Sequence, residues 1–197
     1  AGLAKEGSIV FVTSFAPFIA MRASEQIRMN LGYMNLNVKA VGIGSGVSMS
    51  FLGNSHYGIE DASIMRSIPN ITVVSPADCG EIVKTVFAAA EYEGPMYIRL
   101  TGETNNPIVY EQDYNFEIGK AITLRKGSEI TIIANGTMVY ESLEASKILE
   151  ADGISSTVIN MHTIKPLDTS VIDNAIASSK LIVSIEEHSV IGGLGGA

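Results

Sequence analysis

A chain of 197 residues, 46% hydrophobic and 17% charged, has enough apolar side chain for a buried core and the length of one large or two small domains. Its net charge of −8 argues against a nucleic-acid or anionic-membrane surface, because both need clustered Lys and Arg. Cys79 is the only cysteine, so no internal disulfide can form, and a reducing, cytoplasmic setting is the simplest reading. No apolar run approaches the ~20 residues of a membrane span. The opening Ala1–Gly7 carries Glu6 and no basic leader, unlike a secretory signal. The chain does not begin with Met, and it stops at Gly192-Gly193-Leu194-Gly195-Gly196-Ala197; both ends read as those of a fragment.

In chain order, short β-branched runs alternate with helix-like segments, the pattern of a mostly parallel sheet covered by helices. Ile9–Val12 reads as a strand. Phe18–Leu31 follows as one helix, with Ile19, Ala20, Ala23, Ile27 and Leu31 on its apolar side. Val38–Ile43 is a strand running into the Gly-rich stretch 42–47. Ile59–Ser67 is a helix, closed by Pro69. Ile71–Ser75 is a strand, Asp78 opens a helix through Ala90, and Met96–Leu100 is a strand. The polar segment Thr101–Gly119 is too long for an ordinary connection and reads as a linker. The alternation then resumes: strand Ile130–Ala134, helix Thr137–Ala151, strand Ser156–Asn160, helix Val171–Ala177, strand Leu181–Ile185. The fold class is therefore α/β, as two three-layer domains with mostly parallel sheets.

Three histidines are present, His56, His162 and His188, none with a ligand partner at i+4, so a zinc site is not expected. No GxSxG elbow or Walker loop occurs, and the glycines at 42, 44 and 46 lack a helix start after them. His56 lies in Gly53-Asn54-Ser55-His56-Tyr57-Gly58, a turn-rich loop between strand and helix, where ligands gather on α/β sheets. A loop histidine can move protons near neutral pH; an ordinary solvated or capping side chain is the other reading of the same residue. Phe15 and Phe18, three apart, read on their own as core. Glu186-Glu187-His188 reads as exposed charge at a strand end.

Seven strings, in order along the whole chain, resemble the C-terminal half of the transketolase family and related deoxyxylulose-phosphate synthases. They are Ser14-Phe15-Ala16-Pro17-Phe18, the run 22–28 (Arg22-Ala23-Ser24-Glu25-Gln26-Ile27-Arg28), and the run 55–61 from Ser55-His56-Tyr57-Gly58 to Asp61. The others are Ser67-Ile68-Pro69-Asn70, Ser75-Pro76-Ala77-Asp78, Thr163-Ile164-Lys165-Pro166-Leu167-Asp168, and Glu186-Glu187-His188 with its glycines. The resemblance implies a pyrimidine-binding domain over 1–115, lacking its N-terminal part, and a transketolase C-terminal-like domain over 116–197. It implies thiamine diphosphate as cofactor, with a divalent metal (Mg or Ca) held by a partner domain. The partner is a diphosphate-binding N-terminal subunit or domain, in a homodimer or heterotetramer. In the same terms, Phe18 matches the aromatic that stacks on the aminopyrimidine, Phe15 lines that pocket, and His56 faces the substrate as the catalytic residue. A ketose or keto-acid donor would pass a two-carbon unit to an aldehyde acceptor. The family's catalytic Glu would lie upstream of residue 1.

The match has gaps. Gly44 stands where the family places a substrate-facing histidine, Leu52 where it has an Asp, and Gly102 where an Arg clamps phosphate. These departures imply an altered substrate range. A β-subunit of a 2-oxoacid dehydrogenase and a non-catalytic module of the same fold remain as alternatives.

Overall fold

The computed structural model describes residues 1–102 and 104–197. A one-turn helix, α1 (Gly2–Lys5), leads into β1 (Val10–Phe15). Helical chain follows in three pieces: Phe18–Arg22, α2 (Ser24–Ile27) and Arg28–Tyr33. The expected single α-helix is thus interrupted. Its first and third pieces are wider π turns, and Ala23 leaves helical geometry between the first two at φ −100°. The inward stripe survives, with Ile19, Ala20, Ile27 and Leu31 buried. A π turn lets one extra residue into the helix and re-aims the side chains beyond it, a feature common near functional sites.

β2 (Val38–Ser45), α3 (Asp61–Ser67), β3 (Thr72–Val74), α4 (Cys79–Glu91) and β4 (Met96–Thr101) complete the first half. α4 begins where Asp78 signals it. The Asp78 carboxylate accepts the Glu81 N–H at 2.8 Å, which satisfies an orphan donor of the first turn, and the Glu81 carboxylate reaches back to the Ala77 N–H, just ahead of the cap, at 2.6 Å. The second half contains β5 (Ile122–Arg125), β6 (Ile130–Ala134), α5 (Met138–Ala151), β7 (Ser156–Asn160), β8 (Thr163–Lys165), α6 (Thr169–Ser178) and β9 (Leu181–Ile185).

The strands form a sheet in the order β1-β2-β4-β3-β8 and another in the order β5-β7-β6-β9. Pairing is parallel except for β3 with β8 and β5 with β7. The mostly parallel α/β expectation holds, and β2 is buried along most of its length, as an interior strand covered on both faces must be. Two strands lie outside the sequence expectation. β5 and β8 have four and three residues, too few to show a period of two. β8 matters most, because it comes from the second half yet extends the first sheet, with Val73 opposite Lys165 and Val74 opposite Thr163. Ile164 accordingly packs in one core with Val73, Met65 and Tyr97.

The segment between β4 and β5 is likewise tied to both halves. Tyr110 and Tyr114 stack at 3.8 Å. Asn160 of β7 donates to the Tyr110 hydroxyl at 2.7 Å and to the Glu81 carboxylate at 2.9 Å, and Tyr114 donates to Glu81. Among the described residues, no helix is long and apolar enough to cross a membrane.

Candidate functional site

β1 ends on Phe15 and the helical chain opens on Phe18, so the buried Ala16 and its neighbour Pro17 set the two rings side by side. Their centroids are 5.7 Å apart at 80°, an edge-to-face pair. The His56 ring completes the group, 5.1 Å from Phe15 and 5.0 Å from Phe18. All three are half-buried, which corrects the sequence expectation that Phe15 and Phe18 fill the core. They form an aromatic corner beyond the carboxyl ends of β1 and β2, the edge of a parallel sheet where ligands bind. The Arg22 guanidinium lies 4.0 Å over the Phe18 ring, adding a cation beside the aromatic face. Ser55 Oγ is 3.1 Å from His56 Nδ1, a contact that orients the imidazole.

The loop that carries His56 is closed at its base. Gly46 and Gly58 exchange backbone hydrogen bonds of 2.8 Å each, an isolated antiparallel bridge. Beneath that base lies a charge network that sequence reasoning missed. Arg99 of β4 donates through Nε to both Asp61 oxygens at 3.0 Å and through Nη2 to the carbonyls of Gly58 (3.0 Å) and Glu187 (2.8 Å). The Tyr97 hydroxyl donates to Asp61 at 2.7 Å, and His188 Nε2 stands 3.9 Å from the same carboxylate. Burial, then the Asp61 charge, pushes the Tyr97 hydroxyl well above its ordinary range. Burial opposes the charge on Arg99, but Asp61, Tyr97 and Glu187 together outweigh it and the guanidinium stays protonated. The available signal was an arginine inside an otherwise apolar strand, which requires a buried partner.

Glu186-Glu187-His188 is therefore not idle surface charge. Glu186 accepts the amides of Leu194 (2.7 Å) and Gly195 (3.0 Å), Glu187 accepts the Val47 amide (2.8 Å), and the His188 side chain is 1% exposed.

Near the corner, two substitutions relative to the resembled family share one filler. Gly44 has φ +68°, a left-handed conformation that disfavours any side chain, and a Cβ there would press on Met49 Cγ at 2.7 Å. A Cβ on Gly102 would meet the same side chain at 3.0 Å. Met49 thus occupies the space next to both glycines, and Leu52 is exposed. Among the described residues, no group of three or more His, Cys, Asp or Glu side chains is placed to hold a metal ion. A cleft of about 550 Å³ lies elsewhere, between α4 and the connecting segment at Lys84, Phe87, Asp113 and Phe116, and includes none of the three rings.

Residues 1–106 match the pyrimidine binding domain of transketolase, and residues 119–197 match the transketolase C-terminal domain. The chain is 40% identical to an apulose-4-phosphate transketolase subunit of Actinobacillus succinogenes, over 99% of the chain and 62% of that protein. It is also 40% identical to the 6-deoxy-6-sulfo-D-fructose transketolase subunit SqwH of Clostridium sp. strain MSTE9, over 100% of the chain and 61% of that protein. Among solved structures, a split gene transketolase in an inactive beta4 tetramer superposes with a TM-score of 0.91 at 42% identity, covering 98% of this chain and 62% of that one. The chain thus spans about three fifths of the length of these two curated relatives.

Proposed function

The chain belongs to the transketolase family, and from that premise we propose that it is the C-terminal subunit, or part of it, of a cytoplasmic thiamine-diphosphate-dependent transferase of two-carbon ketol units. In this reading residues 1–115 form the pyrimidine-binding domain and residues 116–197 the C-terminal-like domain. The observation that carries the proposal is the half-open corner of Phe15, Phe18 and His56, three rings within 5.0–5.7 Å of each other at the carboxyl edge of the sheet.

The corner suits a flat heteroaromatic ring. Phe18 offers a face that gains both area burial and ring–ring attraction, and Phe15, held edge-on, walls the same pocket. When bound there, the cofactor supplies an electron sink for carbon–carbon bond cleavage. His56 packs against both rings, from where its imidazole can accept or donate a proton at a substrate hydroxyl. The metal and the diphosphate fall to a partner domain, which also closes the open side of the corner and shields the reaction from water. The names of the two relatives, each a transketolase subunit, support a separate diphosphate-binding chain and hence a heterotetramer; a diphosphate domain in the same chain would give a homodimer.

Substrate range follows from the same place. Gly44 and Gly102 present no cation or hydrogen-bonding side chain, and Met49 covers both, so an ordinary sugar phosphate loses its polar contacts there. The names of the relatives, which refer to apulose 4-phosphate and a sulfonated fructose, also point away from the ordinary pair of substrates.

The test is reconstitution. Full-length chain mixed with its diphosphate-binding partner and thiamine diphosphate should transfer a two-carbon unit from a ketose to an aldehyde, while the chain alone should not. Turnover of xylulose 5-phosphate and ribose 5-phosphate as efficient as that of an ordinary transketolase would refute the altered range. Co-purification with a lipoyl-carrying acyltransferase would favour a 2-oxoacid dehydrogenase β-subunit instead.

A further inference from the structure

The loop from Gly46 to Gly58 has two ends, and residue 187 of the second half is tied to both. At the entry, the Glu187 carboxylate accepts the Val47 N–H at 2.8 Å and is anchored by the Thr137 hydroxyl at 3.3 Å. At the exit, the Glu187 carbonyl and the Gly58 carbonyl share one donor, Nη2 of Arg99, at 2.8 and 3.0 Å. The backbone is shaped around this contact. Gly46 sits at φ +69°, and a Cβ on it would run into the Glu187 carboxylate, so the carboxylate rests directly on bare main chain. Both ends of the His56 loop therefore converge on one residue from the far end of the sequence.

We infer that Glu187 is a positioning residue for His56: by gripping the Val47 amide and, through Arg99, the Gly58 carbonyl, it sets the loop so that the imidazole meets Phe15 and Phe18. The inference rests on the proposed role of His56 but makes a separate claim, that the second half of the chain governs the geometry of a site built by the first. The physical basis is plain. The loop has no regular structure beyond two single turns of 3₁₀ helix, Ser50–Leu52 and Asn54–His56, so its local free energy of opening is small unless its ends are fixed. A carboxylate accepting a main-chain N–H is a charge-assisted bond, stronger than a neutral one. The cost of losing it appears in alignment, to which proton transfer is sensitive at the scale of an ångström.

The experiment uses the full-length chain reconstituted with its diphosphate-binding subunit, as wild type, Glu187→Ala, Glu187→Gln and the control Glu186→Ala. Two readouts are taken: deuterium uptake of the peptide spanning 46–58, and kcat with the KM for the ketose donor. Glu187→Ala should speed exchange in that peptide and lower kcat by roughly tenfold to a hundredfold, with little change in thiamine-diphosphate affinity. Glu187→Gln keeps an oxygen for the Val47 amide and should recover much of both. Glu186→Ala, whose partners are Leu194 and Gly195, should leave the 46–58 peptide unchanged. Wild-type exchange in Glu187→Ala overturns the positioning role. Faster exchange with unchanged kcat upholds the grip on the loop and removes His56 from the chemistry. If Glu187→Ala does not fold, Glu187→Ser, whose hydroxyl is too short to reach the Val47 amide, carries the test, and wild-type exchange in its 46–58 peptide counts against the inference.

Discussion

Replacing Asp61 with Asn removes one charge from a pair that is shielded from solvent. The Asp61 side chain is fully buried and Arg99 is 4% exposed, so the guanidinium left behind cannot be rehydrated without opening the fold. Asp61 takes three contacts of 2.7–3.0 Å from Tyr97 and Arg99, and Asn can match their shape but not the charge. Removing one partner of such a buried pair costs about 3–5 kcal/mol, against a typical total stability of about 5–15 kcal/mol. With a urea m-value of roughly 2–3 kcal/mol per molar for a chain of this size, the midpoint should fall by about 1–2.5 M. Far-UV circular dichroism across a urea series measures it. The double variant Asp61→Asn/Arg99→Met takes away the stranded charge as well and should recover much of the loss. It should not support full turnover, because with Arg99 gone the Gly58 and Glu187 carbonyls lose their donor. For scale, Lys180 and Glu129 pair at 2.9 Å on the surface, and Lys180→Ala should barely move the midpoint. An Asp61→Asn midpoint equal to that of wild type would refute the reasoning, since the Arg99 charge would then have found solvent.

Phe18→Ala in the reconstituted complex should weaken thiamine-diphosphate binding by about 1–3 kcal/mol, read by titration calorimetry; unchanged affinity removes Phe18 from the cofactor site. His56→Ala should lower kcat on the order of a hundredfold with the cofactor still bound, and a wild-type rate would clear it from the mechanism. Burial pulls the His162 pKa from an ordinary 6.5 down to about 4, with the Lys120 backbone partly opposing. Between those values the unfolded chain takes up a proton that the folded chain refuses, so stability is complete above pH 6.5 and declines as the pH falls toward 4, by about 3 kcal/mol at most. Glu81, raised first by burial, acts with the opposite sign and strengthens the fold as pH falls through its own range. The measurement is therefore the difference between wild type and His162→Gln, which should shrink from about pH 7 to about pH 4; parallel profiles would contradict a buried neutral imidazole.

Local signals carried a good part of the fold. β-branched runs marked Val38–Ile43, Ile130–Ala134, Ser156–Asn160 and Leu181–Ile185, and the Asp78 cap marked the start of α4, because these depend on periodicity and on neighbours a few residues away. Phe15 and Phe18 were singled out by the family resemblance of the strings that hold them, not by their own pattern, whereas the turn-rich loop around His56 marked that residue locally. The interruption of the helix at Ala23 was not legible, since Phe18–Leu31 has a sound helical stripe and a π turn changes only which carbonyl each N–H meets.

What the chain determined unaided is an alternating α/β framework of two domains with a candidate loop site around His56. Only the tertiary structure decided that the two phenyl rings stand half-open rather than in the core, and that Thr163–Lys165 crosses to the other half's sheet. It also decided that Glu187 and Arg99, far apart in sequence, meet under the His56 loop. Those facts rest on contacts between residues distant along the chain, formed when two apolar faces bury against each other, and hydrophobic burial has no direction that a linear pattern could record.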